Sequence, residues 1–229
     1  MKRAVAVGLA MFAGATISAT AVNGLHAEET PPRAYETPIW KTITLGTYRN
    51  ANVLREPLDS AHCSIEKVAG VKVDARASPA SPIDNDGPTT PFCHLEDLAN
   101  EIIGRPAFAL SRERTEVDLV VLSVSELGFG KQGASLKDIY ARAKSLGFAL
   151  CPPEVGPQLR LQYLEQPPGE VLHIAMDPIA KYDGNLVSLA LENGEWGLVL
   201  FGYYVAGIEV MYPRALFVFV KHRYGDREN

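Results

Sequence analysis

The chain has 229 residues, and its 22 Lys and Arg residues against 27 Asp and Glu residues give a formal charge of −5 at pH 7. Binding to nucleic-acid phosphates depends on clustered basic side chains, and the sequence contains no such cluster, so a nucleic-acid partner is not expected. A chain of this length can bury one sizeable core, which favours a single domain.

Residues 1–27 have the three-part pattern of a secretory signal peptide. Two basic residues follow Met1, an apolar stretch runs to Ile17, and small residues then lead to Ala21 and Ala27, either of which fits the cleavage position. The apolar stretch is shorter than the roughly 20 residues that a membrane-spanning helix needs. We therefore predict export to the periplasm or the medium, with no membrane attachment after cleavage.

The remaining chain divides into a leader, one domain and a tail. Residues 28–38 are polar and rich in proline and predict a flexible leader. Residues 39–224 predict a single α+β domain, and residues 225–229 a short tail. Within the domain, the segment at about 63–93 combines prolines with short polar side chains and offers little apolar surface, so it predicts a polar insertion.

Three cysteines in an exported chain suggest one disulfide and one cysteine left over. Cys63 and Cys93 bracket the polar insertion, and a disulfide between them would stabilise the fold by roughly 3 to 4 kcal/mol. Cys151 then remains free. Its apolar neighbours favour a buried, inert thiol over a reactive one.

Two helices are marked clearly by their capping residues and apolar stripes. The first is predicted over 91–103, with Thr90 as its cap and Pro91 at the first helical position. The second is predicted over 135–146, where Ser135 and Asp138 form a capping box.

Several segments have the pattern of strands. Residues 40–47 alternate between apolar and polar side chains, as does 158–163, while 117–124 and 171–176 are nearly all apolar. An Asn-Gly pair at 193–194 lies between the apolar runs 186–191 and 196–203 and predicts a hairpin. Segments 208–212 and 216–222 complete the set. The fold class is therefore α+β: a mixed, mainly antiparallel sheet of roughly six to eight strands with two principal helices packed on it.

The candidate binding site is the polar face of the predicted strand 158–162 together with the proline-rich bend before it. Gln158, Arg160 and Gln162 share that face, and Glu154 lies in the bend. A rigidly held guanidinium can bind a carboxylate or sulfate through two hydrogen bonds. In the alternative interpretation, Arg160 is a structural partner of Glu154. We predict a non-enzymatic module that binds a small molecule or an envelope protein, with no cofactor and no metal.

The alternative function is a metal-independent hydrolase that acts on cell-envelope material. Such an enzyme needs two carboxylates that converge on one cleft. Glu154 would be the acid or base, and the second carboxylate would come from Glu165, Glu170 or Asp177. No catalytic residue follows from the sequence alone.

Other motifs each have a plainer explanation. Gly128, Gly130 and Gly133 match a dinucleotide-binding pattern, but the regular alternation of strands and helices does not follow them, so an ordinary connection is favoured. The pairs His62-Cys63 and Cys93-His94 could supply zinc ligands, although adjacent ligands are awkward.

Aromatic and histidine side chains in the strands are interpreted as core residues. His173 lies in a buried strand, where a histidine usually makes internal hydrogen bonds, and a Cys151–His173 pair is the catalytic alternative. Phe201 and Tyr203 in the hairpin, together with Trp196 and Tyr204, predict core and edge packing, with a glycan-binding platform as the alternative.

Several blocks of the sequence resemble a group of uncharacterised bacterial proteins. The blocks include WKTITLG, LANEIIGRPAF, EVDLVVLSVSELGF, LHIAMDPI and FVFVKHR, and the most specific is LCPPEVGPQLRLQY at 150–163. The resemblance implies a shared single-domain fold and no particular activity. The insertion at about 63–93 is not a feature of that group.

Overall fold

The structure is a computed structural model that describes residues 36–59, 93–195, 197–206 and 210–221. The predicted signal peptide and most of the leader and of the insertion, including Cys63, lie outside these residues, as does the predicted tail. The four ranges contain the sheet, the helices and every residue of the candidate site.

Nine strands in the described residues form one mixed sheet, and four helices accompany it. The strands are β1 (Lys41–Leu45), β2 (Cys93–Leu95), β3 (Thr115–Ser123), β4 (Phe148–Ala149), β5 (Val171–Ile174), β6 (Ile179–Ala180), β7 (Leu186–Gly194), β8 (Gly197–Tyr204) and β9 (Leu216–Lys221). The helices are α1 (Ala51–Leu58), α2 (Asp97–Ile103), α3 (Leu136–Ser145) and α4 (Val155–Gln162).

The main strand order is β1-β3-β9-β5-β7-β8-β2, and the short strands β4 and β6 pair with β9 and β7. The β5–β9 and β2–β8 pairs are parallel, whereas the others are antiparallel. The α+β fold class, with a mixed and mainly antiparallel sheet, is confirmed.

The helices cover the two faces of the sheet unequally. Apolar side chains of α1, α2 and α4, such as Leu54, Ile102 and Leu159, pack on one face, which we call the three-helix face. Helix α3 packs on the opposite face, the α3 face, through Leu136 and Ile139 among others. Because successive strand residues point to opposite faces, each buried strand contributes to both layers of core.

Helix α3 and the hairpin form where their local signals predict them. Ser135 accepts a hydrogen bond from the Asp138 amide at 3.2 Å and donates one to the Asp138 carboxylate at 2.6 Å. The hairpin between β7 and β8 is as predicted, but Asn193 and Gly194 lie in β7, paired with Leu198 and Gly197, so the connection follows the Asn-Gly pair. Trp196 lies outside the described residues.

Helix α2 begins later than the sequence predicts. Residues 93–95 form strand β2, and Glu96, rather than Thr90, caps the helix by accepting hydrogen bonds from the amides of Leu98 and Ala99. The same carboxylate oxygen accepts a third hydrogen bond from Gly202 on β8, at 3.1 Å. The helix therefore begins where one side chain can join it to the sheet. A side chain on Gly202 would clash, since its Cβ would lie 2.7 Å from the Leu98 Cβ.

The predicted strand at 208–212 is wrong in its described part. Met211 makes an isolated bridge with Ala134 and belongs to no strand, and residues 207–209 lie outside the described residues. The Met211 and Ala134 amides and carbonyls bond to each other at 2.8 and 3.1 Å, so this connection is tied to the start of α3 and not to the sheet.

The two cysteines in the described residues differ in state. Cys93, on β2, is disulfide-bonded, whereas Cys151 is a free, buried thiol beside β9, so the two are not joined to each other. The proposed partner Cys63 lies outside those ranges. The free state of Cys151 is confirmed.

None of the helices in the described ranges combines the length and apolar character that crossing a bilayer requires.

Candidate functional site

Residues 155–162 form helix α4, so the predicted strand at 158–162 is wrong. Pro157 lies in the first turn of the helix, where its missing N–H costs no internal bond. The alternation of apolar and polar residues misleads because α4 is buried nearly all round, and its polar residues face inward as well. A short alternating run fits both a half-exposed strand and a fully enclosed helix.

Three polar residues of α4 and its cap line up along the outer edge of strand β1. Glu154, Gln158 and Gln162 recur every four residues, which places them on one side of a helix. We call them the polar ladder. The Glu154 carboxylate accepts hydrogen bonds from the Gly46 amide at 2.8 Å and from the Ser111 amide at 2.7 Å.

The two glutamines of the polar ladder replace a missing neighbouring strand. Strand β1 is at the edge of the sheet, so its outward amides and carbonyls need other partners. The Gln162 amide group accepts from Thr44 N and donates to Thr44 O, both at 2.9 Å. Gln158 donates to the Thr47 hydroxyl at 2.5 Å and to Glu154 at 3.1 Å, and it accepts from Gln162.

Arg160 points away from the polar ladder and holds a different connection. Its guanidinium donates to the Gln166 side chain and to the Tyr163 carbonyl. Asn193 in the hairpin donates to the Gln166 carbonyl at 2.6 Å, so Arg160 joins α4 to the β7–β8 turn. Desolvation lowers the pKa of Arg160 to about 10, which leaves it charged at neutral pH. It does not bond to Glu154, so the predicted pairing of the two is wrong.

These residues are closed to solvent. Glu154 and Arg160 are 0% exposed and Gln158 is 1% exposed, while Gln162 is partly buried. The exposed polar face that the sequence predicts is therefore absent. Its side chains bond to the protein's own backbone and to one another.

Glu154 does not converge with Glu165 and Glu170, which both lie near Tyr163. Glu165 forms an ion pair with Lys41 at 2.7 Å, and Glu170 accepts a hydrogen bond from the Tyr163 hydroxyl at 3.1 Å. The Glu154 carboxylate, at the start of α4, accepts hydrogen bonds from three N–H groups. Within the described ranges, no group of three or more His, Cys, Asp and Glu residues is placed to hold a metal ion.

The glycines of the dinucleotide-like motif lie in the connection between β3 and α3. Gly128 and Gly133 have φ angles of 93° and 71°, which favour glycine. A Cβ on Gly133 would lie 2.1 Å from the Met211 carbonyl oxygen. Turn geometry and close packing thus account for two of the three glycines.

A second group of polar residues lies on the α3 face of the sheet. It consists of Tyr140 on α3, His173 on β5, Ser188 on β7 and Tyr203 on β8, and we call it the tyrosine–histidine cluster. Ser188 pairs with Tyr203 across the β7–β8 ladder, and His173 pairs with Phe217 on β9, which brings the strand residues together.

Aromatic rings form the walls of the tyrosine–histidine cluster. The His173 ring stacks on Phe217 with centroids 5.2 Å apart and meets the edge of Tyr203 at 5.1 Å. Tyr140 contacts the other edge of this layer, with its centroid 6.4 Å from that of Phe217. Such separations are typical of favourable aromatic contacts.

Three polar atoms of the cluster are enclosed without a hydrogen-bond partner in the described residues: Tyr140 Oη, Tyr203 Oη and His173 Nδ1. Ser188 Oγ donates to the Ile174 carbonyl at 3.4 Å. It lies close enough to both phenols to lower their pKa, and the Met176 backbone does the same for Tyr140, although neither phenol completes a hydrogen bond of ordinary geometry. The prediction that His173 makes internal hydrogen bonds is wrong for Nδ1.

Burial dominates the titration of the tyrosine–histidine cluster. It lowers the pKa of His173 to about 4 and raises the pKa of Tyr203 to about 12, and it also raises the pKa of Tyr140. At neutral pH the imidazole and both phenols are therefore uncharged. The cluster offers hydrogen-bonding groups without charge.

Cys151 lies near this cluster and is chemically quiet. Its thiol donates to the Val218 carbonyl at 3.3 Å, and burial raises its pKa, so the thiolate is disfavoured. A catalytic Cys151–His173 pair would need a thiolate and a histidine that can accept its proton near neutral pH. Neither condition is met.

The fold and the site define an α+β domain with two polar regions, one on each face of a mixed sheet. No protein-family model, curated protein or solved structure matches this chain.

Sequence reasoning found the residues of the polar ladder but missed their arrangement, and it missed the tyrosine–histidine cluster. The spacing of four between Glu154, Gln158 and Gln162 is a helical signal that could have been read from the sequence. The cluster draws on one helix and three strands, and no local spacing links its members.

Proposed function

We propose that the chain is an exported, non-enzymatic binding domain, and that its binding site is the tyrosine–histidine cluster rather than residues 154–162. The observation that supports the proposal is the meeting of three enclosed, unpartnered polar atoms, on Tyr140, His173 and Tyr203, at one place on the α3 face. A buried donor or acceptor without a partner costs about 1 to 3 kcal/mol, so a folded protein retains several together where another molecule completes their bonds.

The contrast with the polar ladder strengthens this interpretation. On the three-helix face, the Glu154 carboxylate and both glutamine side chains have partners within the protein. The polar ladder therefore completes its hydrogen bonds within the protein, although Arg160 Nε on the same helix has no partner in the described residues. His173, Tyr140 and Tyr203 are also partly exposed as whole residues, so a small molecule can approach the rim of the cluster.

A binding role fits the cluster better than hydrolysis does. The hydrolase hypothesis relies on Glu154, whose carboxylate is enclosed and accepts three N–H groups, and a carboxylate in that position does not reach a substrate. Burial lowers the pKa of His173 to about 4, so its neutral imidazole is a weak general base at neutral pH. A small molecule is the favoured partner, because the unpartnered atoms are too enclosed for a protein surface to contact.

The binding proposal is tested by screening a library of small fragments by NMR against the protein that lacks only its predicted signal peptide. The signals of the His173 ring and the Ser188 amide are followed. We expect fragments that shift these signals saturably and that bind at least tenfold more weakly to the Tyr140→Phe/Tyr203→Phe variant. Tyr182→Phe is the matched control, because Tyr182 is 79% exposed and lies outside the cluster. If no fragment shifts either signal, or if the double variant binds as the wild type does, the proposal is wrong.

Export is tested by expressing the full chain in a bacterium and fractionating the cells. We expect the protein outside the cytoplasm, with an N-terminus that follows Ala21 or Ala27 by mass spectrometry. Recovery of the intact chain from the cytoplasm alone would contradict export and leave the binding proposal standing.

A further inference from the structure

We propose that Asn193 is a site of spontaneous deamidation that the β7–β8 hairpin protects while it is closed and exposes when it opens. The product of the reaction prevents the hairpin from closing in its original form. This protection does not depend on what the tyrosine–histidine cluster binds.

The reaction uses a residue pair that the sequence supplies once. Asn193 and Gly194 form the one Asn-Gly pair in residues 28–229. The backbone nitrogen of such a glycine can attack the side-chain amide carbon of the asparagine, because glycine has no Cβ to hinder the approach. A C–N bond closes a succinimide ring, and the side-chain nitrogen leaves as ammonia with the amide proton of Gly194. Water then opens the ring at either carbonyl, which gives aspartate or isoaspartate.

Three hydrogen bonds hold Asn193 away from this reaction in the closed hairpin. The side-chain amide of Asn193 donates to the Gln166 carbonyl at 2.6 Å. The backbone N–H donates to the Glu170 carbonyl at 3.3 Å, and the backbone carbonyl accepts from the Gly169 amide at 2.7 Å. Gly194 lies in β7 as well, so the attacking nitrogen belongs to a paired strand. The side chain must leave Gln166 and the strand must open before the ring can close.

The product does not fit the closed hairpin. The Asn193 side chain provides a donor to the Gln166 carbonyl, whereas an aspartate carboxylate can only accept. Two acceptor oxygens would then face each other, one of them charged, which is unfavourable. Isoaspartate also lengthens the main chain by one carbon. Because the Gln166 side chain accepts from the Arg160 guanidinium, the loss of this contact loosens the connection between α4 and the hairpin.

The protection is tested by peptide mass spectrometry on the protein that lacks only its predicted signal peptide, incubated at pH 7 in buffer and in urea. We expect Asn193 to deamidate at least about tenfold more slowly in buffer, where the hairpin is closed. Similar rates in buffer and in urea would overturn the protection, and no deamidation of the unfolded chain would overturn the site.

Gly194→Ala is the chemical control for that experiment. In urea it should slow the reaction at Asn193, because the added methyl group hinders the attack of the backbone nitrogen. The variant should fold, since the nearest atoms to the new Cβ belong to the flexible Glu192 side chain, at 3.0 Å and beyond. An unchanged rate in urea would show that the modification does not pass through the succinimide ring and would overturn the proposed reaction.

The effect of the product is tested with Asn193→Asp. We expect hydrogen exchange at the Gly169 amide, which donates to the Asn193 carbonyl, to be at least about tenfold faster than in the wild type. Asn193→Ala removes the donor without adding a charge and should give a smaller acceleration. Asn100→Asp, on the exposed side of α2, is the matched control and should leave the exchange at Gly169 unchanged. Wild-type protection of Gly169 in Asn193→Asp would contradict the proposal that the product keeps the hairpin from closing.

Discussion

The polar ladder and the tyrosine–histidine cluster are both enclosed groups of polar side chains packed on the same sheet. They differ in whether their hydrogen-bonding groups have partners within the protein. Glu154 and Gln162 bond to backbone groups of β1 and its neighbouring loops. By contrast, Tyr140 Oη, His173 Nδ1 and Tyr203 Oη complete no hydrogen bond within the described residues.

The difference shows that burial by itself does not identify the role of a polar side chain. A satisfied group such as Glu154 holds chain segments together, and its removal should unfold the protein. An unsatisfied group such as Tyr203 costs stability, so its removal should cost little and should impair binding instead. The predictions below measure this contrast from the largest expected effect to the smallest.

Glu154→Gln should have the largest effect. The carboxylate accepts hydrogen bonds from the N–H groups of Gly46, Ser111 and Gln158. A glutamine side chain would place its own NH2 group against one of these N–H groups, so one hydrogen bond would be lost and two donors would face each other. We expect the free energy of unfolding to fall by about 3 kcal/mol in urea denaturation. Glu56→Gln on the exposed side of α1 is the matched control and should change it by less than about 0.5 kcal/mol. Equal effects of the two substitutions would show that Glu154 has no structural role.

Acidification should destabilise the domain through His173. Its pKa is lowered from 6.5 to about 4 by burial, so the unfolded state takes up a proton first and stability is lost as the pH falls from about 6.5 to about 4. We expect His173→Phe, which keeps an aromatic ring against Phe217, to reduce this loss by about 2 kcal/mol. Denaturation of both proteins at pH 7 and pH 4.5 measures the difference. An identical pH dependence would mean that His173 is not enclosed as an uncharged ring.

Gln162→Leu should have a smaller effect at the edge of the sheet. The substitution removes the two hydrogen bonds to Thr44 but keeps the packing volume, and Thr44 is close enough to solvent for water to replace part of the loss. We expect a loss of about 1 kcal/mol and faster hydrogen exchange at the Thr44 amide. The exchange of Val120, in the interior strand β3, should change only with global stability. Unaltered protection at Thr44 would contradict the strand-replacing role of Gln162.

The sequence predicts the fold class and many of the elements because their signals are local. Ser135 with Asp138 marks α3, and the Asn-Gly pair marks the hairpin. The position of β9 between β3 and β5 has no local signal, since it depends on pairings with strands far away in the chain. The start of α2 also could not be predicted, because the Glu96 cap gains its advantage from a bond to Gly202 on β8.

The candidate site was predicted only in part for the same reason. The sequence marks residues 154–162 as an unusual polar group, but their alternation predicts a strand, whereas the spacing of four describes the helix that forms. The partners of Glu154, at Gly46 and Ser111, are remote in the sequence. The tyrosine–histidine cluster has four members on four elements, so it exists only once the sheet has formed.

The most direct test is the free energy of unfolding of the Tyr140→Phe/Tyr203→Phe variant, measured in urea without ligand. Because the two hydroxyls complete no hydrogen bond of ordinary geometry in the described residues, we predict a stability equal to that of the wild type or higher by up to about 1 kcal/mol. A loss of about 1 kcal/mol or more would show that the hydroxyls are bonded within the protein and would contradict our account of the cluster as an unfilled binding site.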